Sequence, residues 1–237
     1  MHLDKLLSIA SDPLGPALIR ASCEESVPRS VYELLAARNG FYLLAKAVHV
    51  FPLSAHNILP MDAERWNAPV LWKAAYGGLW RDMFVFAENA LGWQFGMSAE
   101  GVYAFDPETA AVEWMGRNLE EWGDTISKRF EHFTRFGVVH RWQTAFGPIP
   151  DGVHLVPRLP VVRGGSYDVA NFLLTDAVTS LRMRARLAIT VDQAADGTSL
   201  GIVRGRLRSF GTSPVAAPTC DRCRLQRYVN STWLGQH

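Results

Sequence analysis

The chain has 237 residues, 48% hydrophobic and 20% charged, with a formal net charge of +1. That balance suits one large domain or a domain with an appendage, and an aromatic content of 11% with eight Trp excludes general disorder. No uncharged apolar run approaches the roughly 20 residues that span a bilayer, and an N-terminus with an early Asp4 does not read as a signal peptide.

In chain order, Pro13 and Gly15 break a short first segment, after which Leu14, Leu18, Ile19 and Ser22 fall on one helical face. Pro28 sits at a helix start, Val31, Leu34 and Leu35 follow at helical spacing, and Asn39-Gly40 is a stop. A strand is expected near Ala47–Phe51, then a loop and a helical turn over 57–80. Met83–Ala87 is a compact apolar run suited to a buried strand, and Trp93, Phe95 and Met97 alternate with Gln94 and Gly96 as a half-buried strand does. Val102–Phe105 and Val112–Met115 continue an antiparallel meander, separated by the turn Asp106-Pro107-Glu108-Thr109. Asn118 then caps a helix on which Leu119, Trp122, Ile126, Phe130 and Phe133 share one face. A further helix is expected over Val138–Phe146, two short strands over Leu159–Arg163 and Tyr167–Leu174, and a helix capped by Thr175 or Asp176. A last strand falls near Ser199–Val203. Residues 1–204 thus read as one α+β domain, with 136–204 an extension of its core and 205–237 a tail that is disordered, loosely packed or the product of a shifted reading frame.

The near-neutral total conceals a segregation. Residues 82–131 hold ten acids against three bases, a net of −7, whereas residues 132–237 hold thirteen Arg against six Asp, a net of +7. An acidic middle steers basic partners, unless its charges simply line a solvated face. The Arg-rich end could hold a polyanion, but it lacks patterned aromatic stacking platforms, so nucleic-acid binding is not expected.

Catalytic motifs are absent. The seven His form no H-E-x-x-H pair, Cys220-Asp221-Arg222-Cys223 is a lone C-x-x-C, and neither G-x-S-x-G nor a Gly-rich phosphate loop occurs. No cofactor and no metal are expected. Three cysteines make no disulfide framework, and the odd number fits a reducing cytoplasm.

Four segments together carry a family resemblance. Val-Tyr-Glu-Leu-Leu-Ala-Ala-Arg-Asn-Gly-Phe-Tyr (31–42), Met-Phe-Val-Phe-Ala-Glu-Asn-Ala-Leu-Gly-Trp-Gln-Phe (83–95), Val-Tyr-Ala-Phe-Asp-Pro-Glu-Thr (102–109) and Asn-Leu-Glu-Glu-Trp (118–122) are similar, in order and spacing, to blocks of the SUKH superfamily of SMI1/KNR4-type proteins. The match covers residues 28–135. It implies an α+β fold with a mixed, largely antiparallel sheet flanked by helices, and binding in place of catalysis. Bacterial members are often immunity proteins that neutralise toxins, frequently nucleases, whereas fungal relatives act as signalling scaffolds, which is the alternative here. On the immunity reading the partner is a basic toxin domain, no membrane is involved, and the contact residues are Glu88, Asn89, Gln94, Asp106 and Glu108, all expected to project outward. Trp66, Trp72, Trp93, Trp114 and Trp122 are expected in the core.

Overall fold

A computed structural model describes residues 2–18, 26–54, 61–194, 199–203 and 206–210. Its contacts divide the chain into two units, residues 1–188 and 189–237.

In the first unit, six strands form one antiparallel meander in sequence order: β1 (Phe41–Leu43), β2 (Val48–Val50), β3 (Phe84–Asn89), β4 (Gln94–Met97), β5 (Val102–Phe105) and β6 (Val112–Gly116). The α+β expectation holds, and every pairing in this sheet is antiparallel rather than mixed. Short connections between β1 and β2 and from β3 to β6 favour that arrangement locally, whereas residues 51–83, with α3 and a 3-10 segment, intervene between β2 and β3. The turn between β3 and β4 places Gly92 at φ +83°, a conformation for which glycine lacks the Cβ penalty.

Helix α4 (Leu119–Lys128) covers one face of the sheet. Asn118 caps it by accepting the Glu121 N–H at 3.0 Å, and Glu120 and Glu121 sit in its first turn, favourably placed at the positive end of the helix dipole. Trp122 is fully buried and meets Phe86 and Phe95 at ring distances of 5.2 and 6.1 Å. Phe133 of α5 (Phe130–Thr134) completes that side, and α1 (His2–Ser8) packs on α4.

The opposite face is covered too. Trp66 of α3 (Ala63–Asn67), Trp72, and Tyr76 in a 3-10 segment (Lys73–Leu79) kinked at Gly77 pack there, Tyr76 edge-on to Phe105 at 4.9 Å. The strands β7 (Val153–Pro157) and β8 (Phe172–Asp176) pair antiparallel, and α7 (Ala177–Gln193) follows, begun by Asp176, which accepts the Thr179 N–H at 2.8 Å. The segment expected as an extension therefore closes the second face of the core. Helices α2 (Arg29–Ala37) and α6 (Phe136–Phe146) match their expected positions to within two residues.

In the second unit, β9 (Ser199–Val203) and β10 (Arg206–Phe210) form a two-stranded antiparallel sheet, so part of the expected tail is strand. Residues 211–237, with the C-x-x-C and the last three Arg, lie outside the described residues.

Three local expectations fail. Leu14–Leu18 is not helical: the Leu14 and Gly15 N–H groups donate to the Asn39 carbonyl, strapping the segment across the end of α2, and residues 19–25 lie outside the described residues. Val161–Arg163 is a 3-10 turn where a strand is expected, and in the second expected strand a 3-10 turn, Val169–Asn171, precedes β8, so only its end, from Phe172, is strand. Trp114 is 46% exposed, because it lies on β6, the outer strand, against Tyr103 alone among the aromatics.

Replacing Asn118 by Ala removes the only side-chain acceptor capping α4 and should cost about 1 kcal/mol of stability. A urea midpoint unchanged from the parent protein would contradict this account of the helix start.

Candidate functional site

Register decides the site. Tyr42 pairs with His49, His49 with Glu88, Glu88 with Gln94, and Gln94 with Phe105, so these residues form one row across five strands, on one face. That face lies beneath α3, β7 and α7. A row that would be solvated in a one-sided sheet is buried at Glu88, Gln94 and Phe105 and half-buried at Tyr42 and His49, so the buried polar groups need partners within the protein.

Glu88 is the hub. One carboxylate oxygen, Oε2, accepts from His154 Nε2 and Gln94 Nε2, each at 3.0 Å, and the other, Oε1, faces His49 Nδ1 at 3.7 Å. Gln94 also donates to the Gly92 carbonyl at 2.9 Å and accepts the Trp66 indole N–H at 2.7 Å. On the far side of the imidazole, Nδ1 meets Ser180 Oγ at 2.7 Å and lies 3.3 Å from an Arg184 Nη2. A guanidinium only donates, so the contact favours the tautomer with the proton on Nε2, directed at Glu88. Arg184 further donates to Ser180 Oγ at 2.9 Å and to the Leu91 carbonyl. A Cβ on Gly92 would collide with both Arg184 and His154, so this glycine serves the turn and the close approach together.

Burial acts to raise the Glu88 carboxyl, but the attraction and hydrogen bonds of His154 and then His49 outweigh it, leaving it lowered to about 2. Burial lowers the Arg184 guanidinium from its ordinary value, opposed by Tyr76 and the surrounding carboxylates.

The line Ser180–His154–Glu88 has the composition of a nucleophile–base–orienter relay. Its geometry places the hydroxyl inside: Ser180 is fully buried, and its Oγ also lies 2.8 Å from the Ala177 carbonyl, which takes the same proton. Beside the network a pit of about 30 Å³, edged by Tyr42, Lys46, His49 and Asp151, reaches Glu88 and His154. It has room for water and not for a substrate of ordinary size, which occupies a few hundred Å³. Lys46 and Tyr42 both bond to Asp151 at its mouth. Among the described residues no group of three or more His, Cys, Asp and Glu could hold a metal ion.

Four of the five residues expected to project outward do not, and the fifth, Asp106, is half-buried. Glu88 and Glu108 are each 7% exposed, and Asn89 and Gln94 are fully buried. Asn89 braces the β3–β4 turn, its Oδ1 accepting the Leu91 and Trp93 N–H groups while its Nδ2 donates to the Phe133 carbonyl. Asp106 accepts the Glu108 N–H and the Thr109 hydroxyl and so shapes its own turn. Glu108 accepts the Val162 N–H at 3.1 Å, fastening the first of the two 3-10 turns. Burial, then the neighbouring Asp106, pushes Glu108 up to about 7, and burial raises Asp106 as well. Glu88, Asn89 and Gln94 do come together with each other's neighbours, and Asp106 with Glu108, but as internal structure. His154, Ser180 and Arg184 belong to the network and were not singled out from sequence; Asp176 capping a helix with Ser180 and Arg184 one turn apart was the only local trace of them.

No protein-family model and no curated protein matches the sequence. Among solved structures, the crystal structure of Atu4351 from Agrobacterium tumefaciens is similar, with a TM-score of 0.52 and 13% identity over 90% of this chain and 99% of that one. This likeness is one of fold. No helix among the described residues is long and apolar enough to cross a membrane.

Two pH responses of opposite sign follow. Glu88, depressed from 4.5 to about 2, contributes stability above pH 4.5 that is lost as pH falls through 2, at most about 3 kcal/mol. Glu108, raised from 4.5 to about 7, contributes stability below pH 4.5 that is lost as pH rises through 7. Urea titrations from pH 2 to 9 should show Glu88→Gln flattening the acid limb and Glu108→Gln the neutral one. A parent-like pH profile in either variant would refute the corresponding assignment.

Proposed function

We propose that the chain is a non-catalytic protein-binding module of the immunity type, acting in the cytoplasm to neutralise a toxin by masking its active surface. One observation carries this reading: the polar groups drawn to the middle of the molecule are bound to one another, and the space beside them is water-sized. A protein so closed acts through its surface. The four segments resembling the SUKH superfamily support the same reading, since they fall on α2 with β1, on β3 with β4, on β5 with its following turn, and on the start of α4. They are successive parts of one sheet and its covering helix.

The masking surface is not formed by Glu88 and Glu108, which are buried, and the half-buried Asp106 is engaged by its own turn. The acidic character of residues 82–131 must therefore act through other side chains. In that segment Glu113 pairs with Arg129 and His132, Glu121 with Arg117, and Asp124 with Lys128. Pairs of this kind, half-exposed on the acid side, present little net field.

The test is co-expression with the product of the reading frame adjacent to this gene. We expect the two proteins to co-purify as a complex and the host to survive induction of the toxin only when this chain is present. Neither complex nor protection, with every flanking reading frame tried, would overturn the proposal in favour of a scaffold without a toxin partner.

A further inference from the structure

Residues 158–171 join β7 to β8 as a loop whose two ends are tied to each other. The Arg158 N–H donates to the Asn171 carbonyl at 2.6 Å. The Asn171 side-chain amide accepts the Leu159 N–H and donates to the Leu159 and Ser166 carbonyls. Within the loop the Gly165 N–H turns back to the Pro160 carbonyl and the Ala170 N–H to Asp168 Oδ1. A loop with its ends together and its own internal bonds is an Ω-loop, a compact unit on the surface of a fold. No residue from 158 to 171 is buried, so little apolar burial holds this one down, which is the character of segments that open locally.

Tyr167 and Val169 rest on the apolar cluster around Leu91, Val139, Trp142 and Phe172, and the Val162 N–H donates to Glu108 Oε2 at 3.1 Å. Glu108, 7% exposed, is thus enclosed where the loop meets the β5–β6 turn. The groups that act on it come from every side. Asp106 lies on its own turn, Tyr76 on the 3-10 segment, Arg184 on α7 and Tyr167 on the loop, where Arg163 follows Val162. Arg135, between α5 and α6, acts on Asp106 and Tyr167. Arg184 is bonded to the Leu91 carbonyl and Ser180 Oγ and is shared with Glu88, and the Arg135 guanidinium lies on the Trp93 and Tyr167 rings at 5.2 and 4.8 Å. A second carboxylate charge beside Asp106 is therefore poorly compensated while the loop is shut, and entry of water compensates it.

We propose that residues 158–171 are a proton-controlled lid, closed over Glu108 while that carboxyl is protonated and released to solvent, with the sheet intact, once it is charged. The lid requires no particular partner and stands apart from the immunity reading. Its sign follows from linkage. The closed loop holds Glu108 at about 7, and a solvated carboxyl returns to the ordinary 4.5, so opening releases a proton. Opening becomes easier as pH rises between those two values and levels off above 7.

Hydrogen exchange with mass spectrometry on the full chain from pH 5 to 9, each rate divided by the chemical exchange rate at that pH, reads this opening. Protection of residues 158–171 should fall roughly tenfold or more between pH 5 and 7 and stay level above, while β3, β4 and β5 keep theirs. Glu108→Gln retains an oxygen for the Val162 N–H and cannot ionise, so its loop should be equally protected at every pH. Asp106→Asn removes the neighbouring charge and should move the fall to lower pH. A pH-dependent loop in the Glu108→Gln protein, or a pH-independent one in the parent, would overturn the lid, as would sheet and loop losing protection together. If Glu108→Gln does not fold, an unshifted profile in Asp106→Asn overturns it equally.

Discussion

A carboxylate enclosed between layers dominates the architecture of the first unit. Glu88 lies on a covered sheet face, reached only by a water-sized pit, where an unpaired charge would cost several kcal/mol. Its two oxygens are instead shared among His154, Gln94 and His49, and those groups are held in turn by Ser180, Arg184 and Trp66. The network joins β2, β3, β4, β7, α3 and α7 through directed bonds, and a partly satisfied version of it would be worse than an apolar core. That dependence accounts for Gly92, which keeps a Cβ out of the space Arg184 and His154 fill.

Sealing both faces of the sheet also sorts the charge of the molecule. The acids of the central segment divide into an interior set bound to the chain's own donors, a set paired with Arg, Lys and His around α4, and exposed acids at the end of the sheet, of which Glu100 faces Arg81. A net of −7 over residues 82–131 thus overstates the field that another macromolecule meets, because interior charge is compensated locally and exposed pairs are screened.

Asp106 and Glu108 show how close function-like and structural chemistry can stand. Two acids two residues apart with raised affinity for protons are what acid–base catalysis requires. Here the first folds the Pro107 turn around its own carboxyl and the second caps a 3-10 turn arriving from residue 162. Their shifted ionisation reports burial and mutual repulsion, with hydrogen-bonding already committed to the backbone.

Features governed by neighbouring residues could be read directly from the sequence. The Asn118 cap, the apolar stripe of α4, the short turns of the β3–β6 meander, the Asn39-Gly40 stop and the Asp176 cap each follow from side chains within a turn of one another. The site did not yield to the same reasoning. Glu88 meets its imidazole 66 positions away, Arg184 reaches a carbonyl 93 positions away, and Val162 reaches Glu108 across 54. Strand alternation fixes which residues share a face with Glu88, but whether that face meets water depends on where residues 149–188 pack. No periodicity records that choice, since a polar residue fits a solvated surface and a satisfied interior equally well until the covering layer is in place.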